Sequence, residues 1–494
     1  MKVSGTSNYR RLVLRQIAQY TWNNCLPDNI YDILYKFINE DTPRVRCCVH
    51  KERAVLKNRI QMALWQPIGL NIINAATAAL SGHIDKSLPL IDVLPAACDS
   101  CPIEKYYITE VCRHCIQHNC INQCPKNAIS VQGNRAVIDR DYCIECGLCV
   151  KACPFSAIIE VVRPCIKACP ANAISVAPNK LAVIDHDKCI SCGNCRNACP
   201  FGALEARSFI VPVLLALKNK QPVTALLAPS VIGQFGINVT NGQLAAGLKK
   251  LGFQDIVDVS DSADMVTLHE AEEFTAKVPD RQPFMTSSCC PAFADFIKKH
   301  RPNTADKISE TVSPMVAAGR WIKQQSPSTL TCFIGPCIAK KNEALDNSDS
   351  IDYVLTFEEL LCIFDGIGID LSQLNDEPYN TTASAKGLSF PLKCGVQKAI
   401  AATTDTTGHK LEYACGLTEC ANKLDQLEAG TLKADYLEGM ACQDGCINGP
   451  GTLVHSGITH VLLEKRAKTL TAKTSVDNQA ATEAAKILNL NVKK

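Results

Sequence analysis

Residues 143–154 read Cys143-Ile144-Glu145-Cys146-Gly147-Leu148-Cys149-Val150-Lys151-Ala152-Cys153-Pro154, a C-x2-C-x2-C-x3-C-P run. Three thiolates at that spacing reach three corners of one iron–sulfur cube, and the fourth cysteine ligates a neighbouring cluster. The proline that follows has no N–H to donate and fixes the turn. Zinc would need no such crossover. The run recurs as Cys189, Cys192, Cys195 and Cys199-Pro200, inside a longer repeat. Ala136–Gly147 returns as Ala182–Gly193, 46 residues on, and Cys124–Ser130 returns as Cys169–Ser175. A short period built around cysteines is a duplicated module. Residues 93–208 are therefore expected to form a ferredoxin-like iron–sulfur domain.

The crossover rule assigns partners. Cys124 completes the cluster of Cys143, Cys146 and Cys149, and Cys169 completes that of Cys189, Cys192 and Cys195. Cys112, Cys115 and Cys120 join Cys153 in a neighbouring cluster, although four residues rather than two separate Cys115 from Cys120. Cys165 and Cys199 are left over, as are Cys98 and Cys101. These four are expected to hold a fourth cluster, the upstream pair replacing ligands missing from the second repeat. His114 and His118 lie among the ligands and read as surface histidines.

The chain has 494 residues, room for two to four domains. Its 51 basic and 49 acidic residues give a net charge of +2, so bulk electrostatics do not imply nucleic acid or an anionic membrane. No apolar run reaches the ~18 residues of a membrane span, and no secretory signal opens the sequence. Twenty-nine cysteines in a long, unsignalled chain point to metal binding in a reducing cytoplasm. Residues 1–92 read as a helical region of unknown role, with Leu14, Ile17, Ala18 and Trp22 on one helical face. Residues 2–24 carry basic residues and no acid, which an amphipathic helix explains better than a transit peptide. Cys25, Cys47 and Cys48 are expected as buried thiols. Residues 209–468 alternate short apolar runs with helical patterns, an α/β core with sites on loops. Residues 469–494 read as a polar tail. No G-x-G-x-x-G follows a strand, so direct use of a nicotinamide is not expected.

Ten cysteines follow Ser287, and five lie in three short loops. These are Ser287-Ser288-Cys289-Cys290-Pro291, Pro336-Cys337-Ile338-Ala339-Lys340-Lys341-Asn342-Glu343 and Glu438-Gly439-Met440-Ala441-Cys442-Gln443-Asp444-Gly445-Cys446-Ile447-Asn448-Gly449-Pro450-Gly451. Their order resembles the signature of the [FeFe]-hydrogenases over residues 93–460. The resemblance implies a two-lobed α/β H-cluster domain behind the duplicated ferredoxin-like modules, an α/β and α+β multidomain chain. It implies that Cys290, Cys337, Cys442 and Cys446 ligate a [4Fe-4S] cube. Cys446 would bridge to a two-iron subsite bearing CO, cyanide and a dithiolate amine. Lys340 would face one cyanide, and the Pro229-Ser230 loop the other, through backbone N–H and the Ser230 hydroxyl. Met440 would pack against the subsite. Cys289 matches the family's proton-transfer thiol, with Glu270, Ser309 and Glu273 as the relay beyond it. Ferredoxin or a similar carrier, H2 and protons, and maturation proteins would be the partners.

Four positions depart from the pattern. Phe293 replaces a usual Trp, Gly335 a Met and Met315 a Gln, and Pro450 interrupts a glycine triplet. Two other readings compete. The iron–sulfur assembly factors of this fold lose the relay cysteine and the cyanide-facing lysine; Cys289 and Lys340 are both present here. An H2 sensor would carry an appended signalling domain, and none is visible.

Overall fold

The computed structural model describes residues 5–38, 46–99, 101–379 and 381–492. Helix α1 (Gly5–Trp22) buries Val13, Leu14, Ile17 and Ala18, the face expected from sequence. It packs along α2 (Val49–Ala63) and against two helices of the region after residue 208, Ile210–Lys218 and Phe357–Ile367. The N-terminal region is thus part of the main core. One expectation fails here: Cys47 is exposed, and Cys25 and Cys48 are only half-buried. Cys47 and Cys48 precede α2, whose inward positions are taken by Leu56, Ile60 and Met62.

The two iron–sulfur modules repeat one plan. Each has a two-stranded antiparallel hairpin, Ile129–Gln132 with Arg135–Ile138 and Ile174–Val176 with Ala182–Ile184. Each also has a short helix carrying the run's third cysteine, Cys149 in Leu148–Ala152 and Cys195 in Asn194–Ala198. The first module has a small core of its own around Tyr106, Ile129, Ile138 and Ile158. In the second, Cys165, Cys195 and Cys199 are buried in the main core.

The C-terminal region from residue 209 is built on two parallel sheets. One orders β2 (Asp255–Asp258), β1 (Val223–Leu227), β4 (Leu330–Gly335) and β5 (Tyr353–Thr356). The other orders β3 (Met285–Thr286), β7 (Tyr436–Met440) and β6 (Leu411–Cys415). Every residue of β1 and β7 is buried, as parallel strands covered on both faces require. Helix α3 (Val259–Lys277) crosses beside them.

The stretch read as a polar tail is folded. A helix, Gln479–Ile487, docks on α3. The buried carboxylate of Asp264 anchors it, accepting from Ser475 Oγ at 2.7 Å and Asn478 Nδ2 at 2.9 Å. The same carboxylate takes Ser384 N at 2.7 Å and Ser384 Oγ at 2.6 Å. A buried charge is tolerated when its lone pairs are filled in this way. Among the described residues no helix is long and apolar enough to cross a membrane.

Candidate cluster and catalytic site

Ligands of open parallel sheets bind outside the carboxyl ends of the strands, and both sheets place their loops there. β1 leads to Ala228-Pro229-Ser230, β3 to Cys289-Cys290, β4 to Pro336-Cys337, and β7 to Cys442 and Cys446. The loops converge on a cavity of about 560 Å³, whose lining includes Pro229, Ser230, Cys289, Lys340, Met440 and Cys446. Cys290, Cys337, Cys442 and Cys446 stand close enough that each perturbs its neighbours' thiols. Burial first, then Cys290, pushes the Cys337 thiol up to about 11.

Two observations test whether this cavity suits an iron group carrying anionic ligands. Ser230 is fully buried, and its hydroxyl has no hydrogen-bond partner among the described residues, a state buried polar groups rarely keep. Lys340, 9% exposed, reaches Cys289 O at 3.2 Å and Glu343 Oε2 at 2.6 Å. Burial works against its charge, and Glu343 outweighs that and raises its pKa. An unused hydroxyl and a buried cation beside four clustered thiols fit such a group.

Behind Cys289 lies a line of acids. Burial, then Glu270, raise the Cys289 thiol well above its usual value. Glu270 is fully buried; it accepts from Tyr436 Oη at 2.8 Å and keeps Oε2 without a partner. Burial pushes its pKa up to about 8, with Glu273 and Glu438 adding to the rise. Ser309 Oγ donates to Glu273 Oε2 at 2.7 Å. Burial would raise Glu273, but Glu310 N and Lys277 Nζ, each at 2.8 Å, hold it below the usual carboxylate range. Glu270 and Glu273 lie three residues apart on α3, one helical turn, so both face one way; Glu272 points outward and is exposed. The structure thus places Cys289, Glu270, Ser309 and Glu273 near one another.

The accessory cysteines gather into four sets. Cys112, Cys115, Cys120 and Cys153 ring a small cavity under His114 and His118. Cys143 and Cys146 stand close enough to raise the buried Cys149 thiol, and Cys124 packs against the same small core. Cys169 stands beside Cys189, Cys192 and Cys195 and adds to the rise that burial gives each of them. Cys98, Cys101, Cys165 and Cys199 also meet. A hydrogen bond repeats between the modules: Ala136 N donates to Cys112 Sγ at 3.5 Å, and Ala182 N, its counterpart, to Cys98 Sγ at 3.3 Å. Cys98 therefore stands where Cys112 stands in the first module. Among the described residues no three His, Cys, Asp or Glu side chains meet as ligands of a single ion would. Cys192 lies near both Cys337 and Cys442, which puts the second module next to the cube cysteines.

The family profile for the iron only hydrogenase large subunit, C-terminal domain, matches residues 221–450, and the 4Fe-4S binding domain matches 136–159 and 182–205. Residues 221–450 are thus an iron-only hydrogenase C-terminal domain. Iron hydrogenase 1 of Clostridium pasteurianum is 29% identical over 64% of this chain and 64% of its own length. The periplasmic [Fe] hydrogenase large subunit of Nitratidesulfovibrio vulgaris is 27% identical over 52% and 75%. The cytosolic Fe-S cluster assembly factor narfl of Xenopus tropicalis is 23% identical over 44% and 58%. The chain thus spans less than two thirds of the Clostridium pasteurianum relative. A solved variant of the Chlamydomonas reinhardtii [FeFe]-hydrogenase superposes with a TM-score of 0.47 at 20% identity, covering 56% of this chain and 94% of that one.

The family departures have local reasons. A Cβ at Gly335 would lie 2.4 Å from the Phe333 ring, so Phe333 fills the space of a larger side chain there and lines the cavity. A Cβ at Gly439 would lie 2.1 Å from the Phe293 ring, so Phe293 and Gly439 are one fitted pair. Met315 lines the cavity, 1% exposed. Pro450 sits against Gly193, joining the cube loop to the second module.

Sequence reasoning missed Tyr436, the partner of Glu270. It also gave no role to Glu438, whose pKa burial pushes up to about 7. Both lie on β7, in or beside the Glu438–Gly451 motif, and alternation on that strand could have flagged them.

Proposed function

We propose that this chain is a [FeFe]-hydrogenase that interconverts protons and electrons with H2, exchanging electrons with ferredoxin or a similar carrier. One observation carries the reading: the unpartnered Ser230 hydroxyl, buried Lys340 and Cys289 share one cavity beside Cys446.

Cys290, Cys337, Cys442 and Cys446 would hold the cube, with Cys446 shared with the two-iron subsite. When bound, the H-cluster supplies an open iron site at which H2 is made or split. The chain's own residues do the rest. Ser230 and Lys340 orient the anionic ligands, and the apolar walls of Met315, Phe333 and Met440 keep water out. Cys289 passes a proton to Glu270, and Ser309 and Glu273 carry it towards Lys277 and Glu310 at the surface. Four accessory [4Fe-4S] clusters, on the four cysteine sets, would carry electrons inward.

The assembly-factor relatives give a second reading, non-catalytic. The test is infrared spectroscopy of protein matured and purified without oxygen, with an iron count and an H2 assay on reduced viologen. Bands of iron-bound CO and cyanide together with H2 are expected. Full iron loading with neither, in a competent maturation host, would favour the assembly reading.

A further inference from the structure

A buried ionic knot ties the second module to α1, α2 and the catalytic region. Arg196 follows Cys195; its Nε donates to Glu205 Oε1 at 2.7 Å and its Nη2 to Glu358 Oε2 at 2.9 Å. Glu358 also accepts from Arg10 Nε at 2.8 Å and Arg11 Nε at 3.1 Å. Glu205 pairs as well with Arg59, whose Nη2 donates to Gly202 O at 2.8 Å. Lys341 Nζ meets Glu359 Oε1 at 2.6 Å, and Lys341, Arg59 and Arg196 line one small cavity with Ile338. Burial opposes the charge of Glu358, but Arg10 and Arg196 hold its carboxyl well below the usual range.

The charges do not balance. Arg10, Arg59, Arg196 and Lys341, all buried, face Glu205, Glu358 and Glu359, four cations against three carboxylates, with Arg11 at the part-exposed edge, where it also faces Asp365. Arg59 Nε has no partner among the described residues. Excess buried charge costs folding free energy that pairing does not return, so this one asks for another role. Its position supplies one. Arg196 adjoins Cys195, Gly202 adjoins Ala203, whose N–H donates to Cys199 Sγ at 3.4 Å, and Ile338 adjoins Cys337. The first module has no counterpart. Forty-six residues earlier, Val150 stands for Arg196 and Ile159 for Glu205, and Ile159 is 43% exposed.

We propose that the knot, with Arg196 at its centre, raises the reduction potentials of the two second-module clusters above those of the first, so that electrons settle beside the cube. Reduction adds one electron to a cluster and breaks no bond. A nearby buried positive charge favours the more negative, reduced form, and water and salt screen it little there. Arg196 touches no cluster atom in this account and acts as a tuning residue. The inference rests on the cysteine sets holding [4Fe-4S] clusters and is independent of hydrogen chemistry.

The experiment is an anaerobic redox titration, followed by electron paramagnetic resonance, of full-length protein made without maturation proteins. It reads the accessory clusters whether or not the protein makes H2. Two accessory waves are expected above the other two. In Arg196→Gln, the reduced-to-oxidised ratio of the upper pair at its original midpoint should fall about tenfold, a shift of ~59 mV for a one-electron couple. Arg196→Lys should stay within about threefold, and the lower pair should not move. Unmoved waves at full iron overturn the proposal, as does an equal shift of all waves, the mark of general loosening. If Arg196→Gln loses iron, Arg11→Gln at the knot's edge replaces it. Glu358 keeps Arg10 and Arg196 there, and a smaller shift in the same direction is expected; no shift overturns the proposal.

Discussion

Glu270 is an acid that folding keeps protonated. Its pKa near 8 lies above the usual 4.5, so the folded chain holds the proton more tightly than the unfolded one. Below pH 4.5 both states hold it and it contributes nothing. From there to about pH 8 the folded state loses ground as pH rises. Glu438, at about 7, acts in the same direction. Glu270→Gln keeps an acceptor for Tyr436 and cannot ionise. It should flatten this alkaline decline, read as urea midpoints between pH 5 and 9, while H2 evolution falls about a hundredfold or more. Activity within a few-fold of the parent would remove Glu270 from the proton path. The thiols and acids of the site were legible in sequence because a loop keeps its residues together. Tyr436 was not: its bond to Glu270 joins β7 to α3 across 166 positions.

At the scale of elements, the site is a set of strand ends. The expectation of an α/β core with sites on loops holds because each cysteine loop follows a buried parallel strand. Leu411–Cys415 is too short for its sequence pattern to mark a strand, and it forms one because β7 supplies its hydrogen-bond partners. The folding of residues 475–487 was hidden for a similar reason, since Asp264 lies more than 200 positions away. Gly439→Ala tests the strand-end packing. Its new methyl would meet the Phe293 ring, and overpacking of this kind costs about 1–3 kcal/mol, measurable by chemical denaturation. An unchanged midpoint would mean that Phe293 moves freely. Asp264→Ala strands several buried donors at about 1–3 kcal/mol each. It should free Gln479–Ile487 first, seen as faster hydrogen exchange there than in β1.

At the scale of the molecule, the two modules differ in what surrounds them. The second is sunk in the main core, with Cys192 beside Cys337 and Cys442. The first stands on its small core with Cys146 exposed. Their cysteine runs are alike and do not reveal this difference, which lies in contacts with segments far away in sequence. A protein carrier would therefore load electrons at the first module, whereas a small dye can also reach the half-buried Cys189 region. Cys146→Ala should lower the iron count by about four atoms, one [4Fe-4S] cluster. H2 formation driven by reduced ferredoxin should then fall about tenfold or more, while the rate with reduced viologen stays within about twofold, since the route from the second module to the cube is intact. The paired assay separates the roles: loss of both rates would mean that the substitution reached the catalytic core. Loss of neither, with the iron gone, would mean that electrons enter elsewhere and that the first module is not the inlet.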